Sequence, residues 1–142
     1  MDKMRLGLVG CGGMGMRHLH GLRELNRTPF SNVELVAVCD IDRESADRGA
    51  VDAEELLGSR PQVFTSLEEM GSSVSELAAV DVVIDPSYHE SVVCQALDMG
   101  LHVIVEKPMA ITIKACHTMI EAAARNGRQL SVAENYRRDP SA

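Results

Sequence analysis

Arg5-Leu6-Gly7-Leu8-Val9-Gly10-Cys11-Gly12-Gly13-Met14-Gly15 is the stretch that decides the fold of this chain. A short apolar run passes straight into G-x-G-x-x-G, with an extra glycine at position 13. The glycines have separable duties. Gly10 permits a tight turn out of a strand, Gly12 leaves the backbone open to a pyrophosphate, and Gly15 lets the following helix pack closely. The start of that helix offers free N–H groups and a partial positive charge to an anion. Gly10, Cys11, Gly12, Gly13, Met14 and Gly15 are therefore candidate ligands of a dinucleotide. By itself such a hexad is weak evidence, because tight turns need glycine anyway.

Context strengthens it. A second apolar run, Val33–Cys39, ends in Asp40, which lies 25 residues beyond Gly15. The usual spacing of the acid that binds adenosine ribose is ~20. The loop Asn26-Arg27-Thr28-Pro29-Phe30-Ser31-Asn32 accommodates the extra length. A carboxylate at that strand end can accept both ribose hydroxyls, and it repels a 2′-phosphate. NAD is thus the expected cofactor. Arg43, three residues on, leaves room for NADP.

Apolar runs alternate with helical patterns to the end of the chain. The remaining runs are Val80–Ile84, His102–Val105, Gln129–Ala133 and a weaker Gln62–Phe64. Their Val/Ile/Leu content without polar alternation suits strands buried on both faces of a parallel sheet. Ala46, Ala50, Ala53 and Leu57 form one helical stripe, and Ile113, Cys116, Ile120 and Ala123 another. Ser66-Leu67-Glu68-Glu69 and Ser87-Tyr88-His89-Glu90 read as capping boxes. Gly58, Gly100 and Gly127 stand where helices would stop. Gly71-Ser72-Ser73-Val74-Ser75 reads as the most polar loop. The pattern predicts an α/β fold, a doubly wound parallel sheet in a single domain.

Composition narrows the function classes. The 142 residues carry a net charge of −7, and aromatics make up 3%, with no Trp. That combination argues against a broad phosphate-backbone footprint or base-stacking platforms, so nucleic acid is not an expected partner. Cysteines at 11, 39, 94 and 116 lack the spacing of a zinc or redox motif and read as reduced thiols. His18, His20, His102 and His117 fall in no ligand constellation, and no metal is expected. No apolar run approaches the ~20 residues that span a bilayer. The start Met1-Asp2-Lys3-Met4-Arg5 lacks a signal-peptide pattern, and the expected location is cytoplasmic.

The run Gly100-Leu101-His102-Val103-Ile104-Val105 continues into Glu106-Lys107-Pro108. Proline pushes the preceding Lys107 out of helical geometry. At the carboxyl end of a strand it reaches the crevice where doubly wound folds bind ligands. This segment resembles the Glu-Lys-Pro motif of the glucose–fructose oxidoreductase / inositol dehydrogenase family. Asp85-Pro86-Ser87-Tyr88-His89-Glu90 is similar to that family's Pro-x-x-His helix start. Glu134-Asn135-Tyr136-Arg137-Arg138-Asp139-Pro140 resembles its crossing into a second domain. The motifs come in order and cover the whole chain.

The resemblance implies a Rossmann-type NAD(P)-binding domain over 1–134, with 135–142 beginning the crossing to a missing α/β domain that holds a sugar-like substrate. It implies an oxidoreductase that moves hydride between nicotinamide and a sugar, cyclitol or related hydroxyl compound. Lys107 would lie near nicotinamide and substrate as the catalytic cation. Glu106 would position it or touch cofactor, and Pro86 and His89 would contribute to the cofactor site. A cis Lys107–Pro108 bond is implied as well. A helix-start histidine making local hydrogen bonds stays open for His89. Asp85 departs from the family, and either turns outward or hydrogen-bonds. The 142 residues alone would bind dinucleotide without efficient turnover. A homo-oligomer is possible. A non-catalytic dinucleotide-binding or interaction module is the alternative reading, and a methyltransferase a remote one.

Overall fold

In the computed structural model, residues 3–141 are described. Positions 1 and 2, which open the expected 1–134 range, and 142, which closes the expected 135–142 range, lie outside them. The strands are β1 (Met4–Val9), β2 (Val33–Cys39), β3 (Gln62–Phe64), β4 (Ala79–Val82), β5 (His102–Glu106) and β6 (Leu130–Ala133). Between them run α1 (Gly13–Asn26), α2 (Arg43–Leu57), α3 (Leu67–Ser73), α4 (His89–Asp98) and α5 (Ile113–Asn126). Short 3₁₀ turns occupy Pro86–Tyr88 and Asn135–Arg138.

All six strands pair in parallel, in the order β3-β2-β1-β4-β5-β6. Chain order therefore reverses between β1 and β4, which opens a crevice at the carboxyl ends of those strands. This is the expected doubly wound sheet. Strand alternation sorts the core into two layers. Leu6, Leu8, Leu35, Ala79 and Val83 pack with Leu19 of α1 and with Ala50 and Ala53 of α2. Val80, Val82, Val103 and Val105 pack on the other face with Met70, Val93, Leu97 and Met119. Each fully buried Val, Leu or Met among them contributes about 1.5–3 kcal/mol.

The helix signals are mostly as read. Asp42, Ser66 and Thr112 cap α2, α3 and α5 through their side chains. Gly58 and Gly127 end α2 and α5 in the left-handed conformation. Gly100 follows α4 with φ 81°. Three expectations need correction. Ser87 caps nothing: the Asp85 carboxylate takes the Ser87 N–H, and α4 is entered through a 3₁₀ turn instead. Gly71, Ser72 and Ser73 are the last residues of α3 rather than a loop, because buried Met70 and Val74 anchor that segment.

The third concerns α5. Its inner stripe is Ala115, Met119, Ala122 and Ala123, while Ile113 and Ile120 face outward at 79% and 52% exposure. The expected stripe was thus rotated by roughly a quarter turn. Small alanines win the inner face because they let α5 sit tight against the Val93-Ala96-Leu97 side of α4. Met119→Ala should consequently lower stability by about 2–5 kcal/mol. Ile120→Ala should change it by no more than about 0.5 kcal/mol. Urea titration reads both as midpoint shifts at constant slope; equal losses would mean the faces are misassigned.

Candidate functional site

The turn out of β1 is held by close backbone contacts and by one side-chain bond, from Asp40. Gly10 has φ 102°, and a Cβ there would lie 2.1 Å from the Val83 carbonyl oxygen. A Cβ on Gly15 would lie 2.3 Å from the Gly10 carbonyl oxygen. The first turn of α1 is thus folded back onto the loop that starts it. At Gly12 and Gly13 the situation is opposite: a Cβ would meet nothing within 4 Å. Gly12 is the N-cap of α1 and supplies no side-chain cap. The helix therefore starts with uncapped N–H groups facing open space, the arrangement that an anion fills.

That space is a cleft of about 830 Å³ at the β1/β4 divergence. Gly10, Gly12, Gly13, Met14, Asp40 and Asp85 are among the residues that border it. Asp40 follows the end of β2 and also ties down the loop. Its Oδ2 accepts the Cys11 N–H at 2.9 Å, and its Oδ1 accepts the Asp42 N–H at 2.9 Å. Each carboxylate oxygen keeps further acceptor capacity. Arg43 pairs with Asp47 on the exposed face of α2 at 3.2 Å. Met14 is 41% exposed at the loop rim. Pro86 opens the 3₁₀ turn beside the cleft.

Asp85 resolves in favour of hydrogen bonding. Its Oδ1 accepts from the Ser87 N–H at 2.8 Å and from the Ser87 hydroxyl. Those two donors hold its carboxyl below the usual carboxylate range. Burial, aided by the Asp40 charge, pushes Cys11 up to about 12 and Cys39 up to about 11. All four cysteines are unpaired.

Glu106 ends β5 and Lys107 and Pro108 follow it, and the Lys107–Pro108 bond is cis, as the resemblance implied. Lys107 is exposed. Its N–H donates to Glu106 Oε2 at 2.7 Å. The other Glu106 oxygen meets His18 Nε2 at 3.2 Å rather than the lysine ammonium. His89 is a correction to the expected cofactor set. It is fully buried, with Nδ1 against the Pro108 carbonyl at 3.0 Å and Nε2 against the Ile84 carbonyl at 3.1 Å. Both nitrogens are spent on tying α4 to the two strand ends, so the open local-bond reading is the one observed.

One residue escaped the sequence reading. His18 of α1 bridges Asp81 of β4 and Glu106 of β5, although the histidines gave no constellation. The available signal was Asp81 itself, an acid inside the run Val80–Ile84, since a charge in a central strand needs a partner.

Comparison with known proteins agrees with this geometry. Residues 4–134 match the model of an "Oxidoreductase family, NAD-binding Rossmann fold". A glycosyl hydrolase family 109 protein of Akkermansia muciniphila is 30% identical over 138 residues, 95% of this chain and 28% of that protein. An inositol 2-dehydrogenase of Burkholderia cenocepacia is 33% identical over 130 residues, 89% of this chain and 35% of that protein. Among solved structures, the WlbA dehydrogenase of Bordetella pertussis, in complex with NADH and UDP-GlcNAcA, superposes with a TM-score of 0.80 at 31% identity. That match covers 96% of this chain and 36% of that one. An oxidoreductase from Thermotoga maritima gives a TM-score of 0.85 at 30% identity, covering 99% and 40%. The chain thus spans about a third of the length of these relatives. No described helix is long and apolar enough to cross a membrane.

The loop geometry separates two glycines experimentally. Gly10→Ala should cost about 1–3 kcal/mol from the backbone alone, with the Val83 clash in addition. Gly12→Ala should cost about 0.5 kcal/mol, the size of a weak cap change. Denaturation midpoints measured without ligand check this; equal costs would contradict the contact-held turn.

Proposed function

Because this chain belongs to the oxidoreductase family with an NAD-binding Rossmann fold, we propose that it is the cofactor half of an enzyme that transfers hydride between nicotinamide and a sugar, cyclitol or related hydroxyl compound. The observation that carries the reading is the uncapped start of α1, open at Gly12 and Gly13, beside an acid at the end of β2. The residues fit a dinucleotide. Backbone N–H groups at the start of α1, those of Gly12, Gly13 and Met14, would hold the pyrophosphate, while the Cys11 N–H stays on Asp40 and shapes the loop. Asp40 would accept from the adenosine ribose with its remaining lone pairs, and its charge favours NAD over NADP. Arg43, paired with Asp47, is turned to its own helix, which further favours NAD.

When bound, nicotinamide supplies the hydride acceptor or donor. Hydride leaves a carbinol carbon while a proton leaves its oxygen, so the protein must manage charge at that oxygen. Lys107 is the residue proposed to do so. Its ammonium would stabilise developing alkoxide, and in a site closed to water that stabilisation grows. Glu106 holds the Lys107 backbone and acts as its positioning partner.

The remaining substrate walls and a second acid/base group would come from further sequence. The proposal is that 1–134 forms the cofactor domain and 135–142 begin the crossing to a second domain. The relatives' greater length supports this. The whole enzyme is proposed to work in a reducing cytoplasm, which suits four unpaired cysteines. A second reading is glycoside hydrolysis, favoured by the 30% identity to a glycosyl hydrolase family 109 protein. NADH accumulating with a sugar or cyclitol supports the first reading. Release of nitrophenol from a nitrophenyl glycoside, without net NADH, supports the second.

Calorimetric titration of residues 1–142 tests the cofactor reading. NAD should bind more tightly than NADP, and Asp40→Ala should weaken NAD about tenfold while weakening NADP less, a loss of one hydrogen-bonded charge. Tighter NADP binding, or no NAD binding, overturns it. Turnover of a sugar panel at ordinary enzyme rates by 1–142 alone, about 1–10³ per second, would overturn the proposed two-domain division. Half a cleft cannot impose near-attack geometry.

A further inference from the structure

We propose that His18 is a positioning residue for the Glu106–Lys107 turn: its imidazolium, held between Asp81 and Glu106, fixes the carboxylate that in turn holds the Lys107 backbone. The inference rests on the reading of Lys107 given above.

Its geometry follows from the sheet. Ala79, Asp81 and Val83 alternate onto the α1 face, as Val80 and Val82 turn to the other. On β5, Val103 and Val105 turn away from α1, so Ile104 and Glu106 turn toward it. Asp81 pairs in register with Ile104, which puts Glu106 one diagonal step farther along. His18 stands three residues after Gly15 and beside buried Leu19, on the inner face of α1. The ring reaches both acids: Nδ1 lies 2.7 Å from Asp81 Oδ2 and Nε2 lies 3.2 Å from Glu106 Oε1.

Carboxylates only accept, so a ring that bonds to both must donate from both nitrogens. That state is the imidazolium. A neutral ring would turn a lone pair on one acid. Burial raises the stakes, since Asp81 and Glu106 are only 5% and 9% exposed. Asp81 Oδ1 has no partner among the described residues, which makes the cation beside Oδ2 more necessary still. The Asp81 hydrogen bond first, and the Glu106 bond and both charges after it, lift His18 above its ordinary 6.5 against the opposing effect of burial. Asp81 from β4 and Glu106 from β5 are the charged groups that govern the ring.

The sign of the pH effect follows. A raised folded-state value means that the bridge's contribution is complete below about 6.5 and is lost as pH rises through that raised value. The longer contact, to Glu106, is the one expected to open first. Glu106 would then be free to move, and the Lys107 N–H on its other oxygen with it.

The test is nuclear magnetic resonance on the 142-residue chain with ¹⁵N-labelled histidine, followed by pH. His18 should show both ring nitrogens protonated at pH 7. The Lys107 amide proton should shift with the same midpoint as the ring. Glu106→Gln should lower the His18 midpoint and abolish the shared titration at Lys107. A neutral His18 at pH 7, or a Lys107 amide that ignores the His18 titration, overturns the proposal. If Glu106→Gln does not fold, the wild-type titration alone still decides. These readouts need no turnover, so they stand or fall apart from the chemistry assigned to Lys107. That assignment fails separately if Lys107→Ala leaves the activity of the longer enzyme intact.

Discussion

Gly10 lies so close to the exit from β4 that the Val83 carbonyl occupies the place of a side chain. Everything at the carboxyl edge follows from that approach. The loop can leave β1 and cross toward β2 only because its backbone grazes the neighbouring strand. Gly15 then closes on the Gly10 carbonyl, which sets the direction in which α1 departs. Asp40 pins the loop from the other side through the Cys11 N–H. The start of the helix is thereby fixed by two backbone contacts and one charge-assisted bond. Its free N–H groups face a cleft whose position the reversal of strand order has already set.

A protein of net charge −7 that binds an anionic cofactor must arrange its acids with care. Around this cleft each is given local donors. Asp40 receives two backbone N–H groups, and Asp85 receives the N–H and hydroxyl of Ser87. Asp81 and Glu106 lie behind α1 with His18 between them. Charge that would repel a pyrophosphate is thus bonded locally, and the proposed anion site would offer backbone dipoles. On the proposed reading, the glycine loop would need no lysine or arginine within Gly10–Gly15 to hold an anion.

The sheet was legible because buried parallel strands have a strong signature. Val33–Cys39 and Gln62–Phe64 were read to their exact ends, and the others to within one or two residues. Gly10 and Gly15 were legible because the backbone there leaves no room for a side chain, and Asp40 because it stands at the end of the second apolar run. The misreadings have a common cause. In α5, large isoleucines outweighed alanines in a periodicity argument, although tight helix packing favours the small residue. At Ser87, the hydroxyl matched a capping pattern, but the stronger acceptor Asp85 two residues earlier took the N–H. His89 matched a family position, yet three backbone carbonyls enclose its ring. His18 was missed because its partners are 63 and 88 residues away, and only the sheet brings them together.

The His18 bridge and the Gly10 contact act on the same helix at different points. Steric closure fixes where α1 begins. The bridge fixes how α1 is rotated, because an imidazole on its inner face must meet acids on two adjacent strands at once. A helix pinned only at its start could still turn about its axis and carry its N–H groups with it. One pinned also at His18 cannot do so without leaving two buried carboxylates short of a donor, a cost of about 1–3 kcal/mol or more for each group left unpaired. Glu106 is the element common to both ends of this restraint, since its second oxygen bonds the Lys107 N–H. Asp81 and Glu106 together hold the ring that orients the anion-facing helix, and Glu106 alone links that restraint to the backbone of the proposed catalytic lysine.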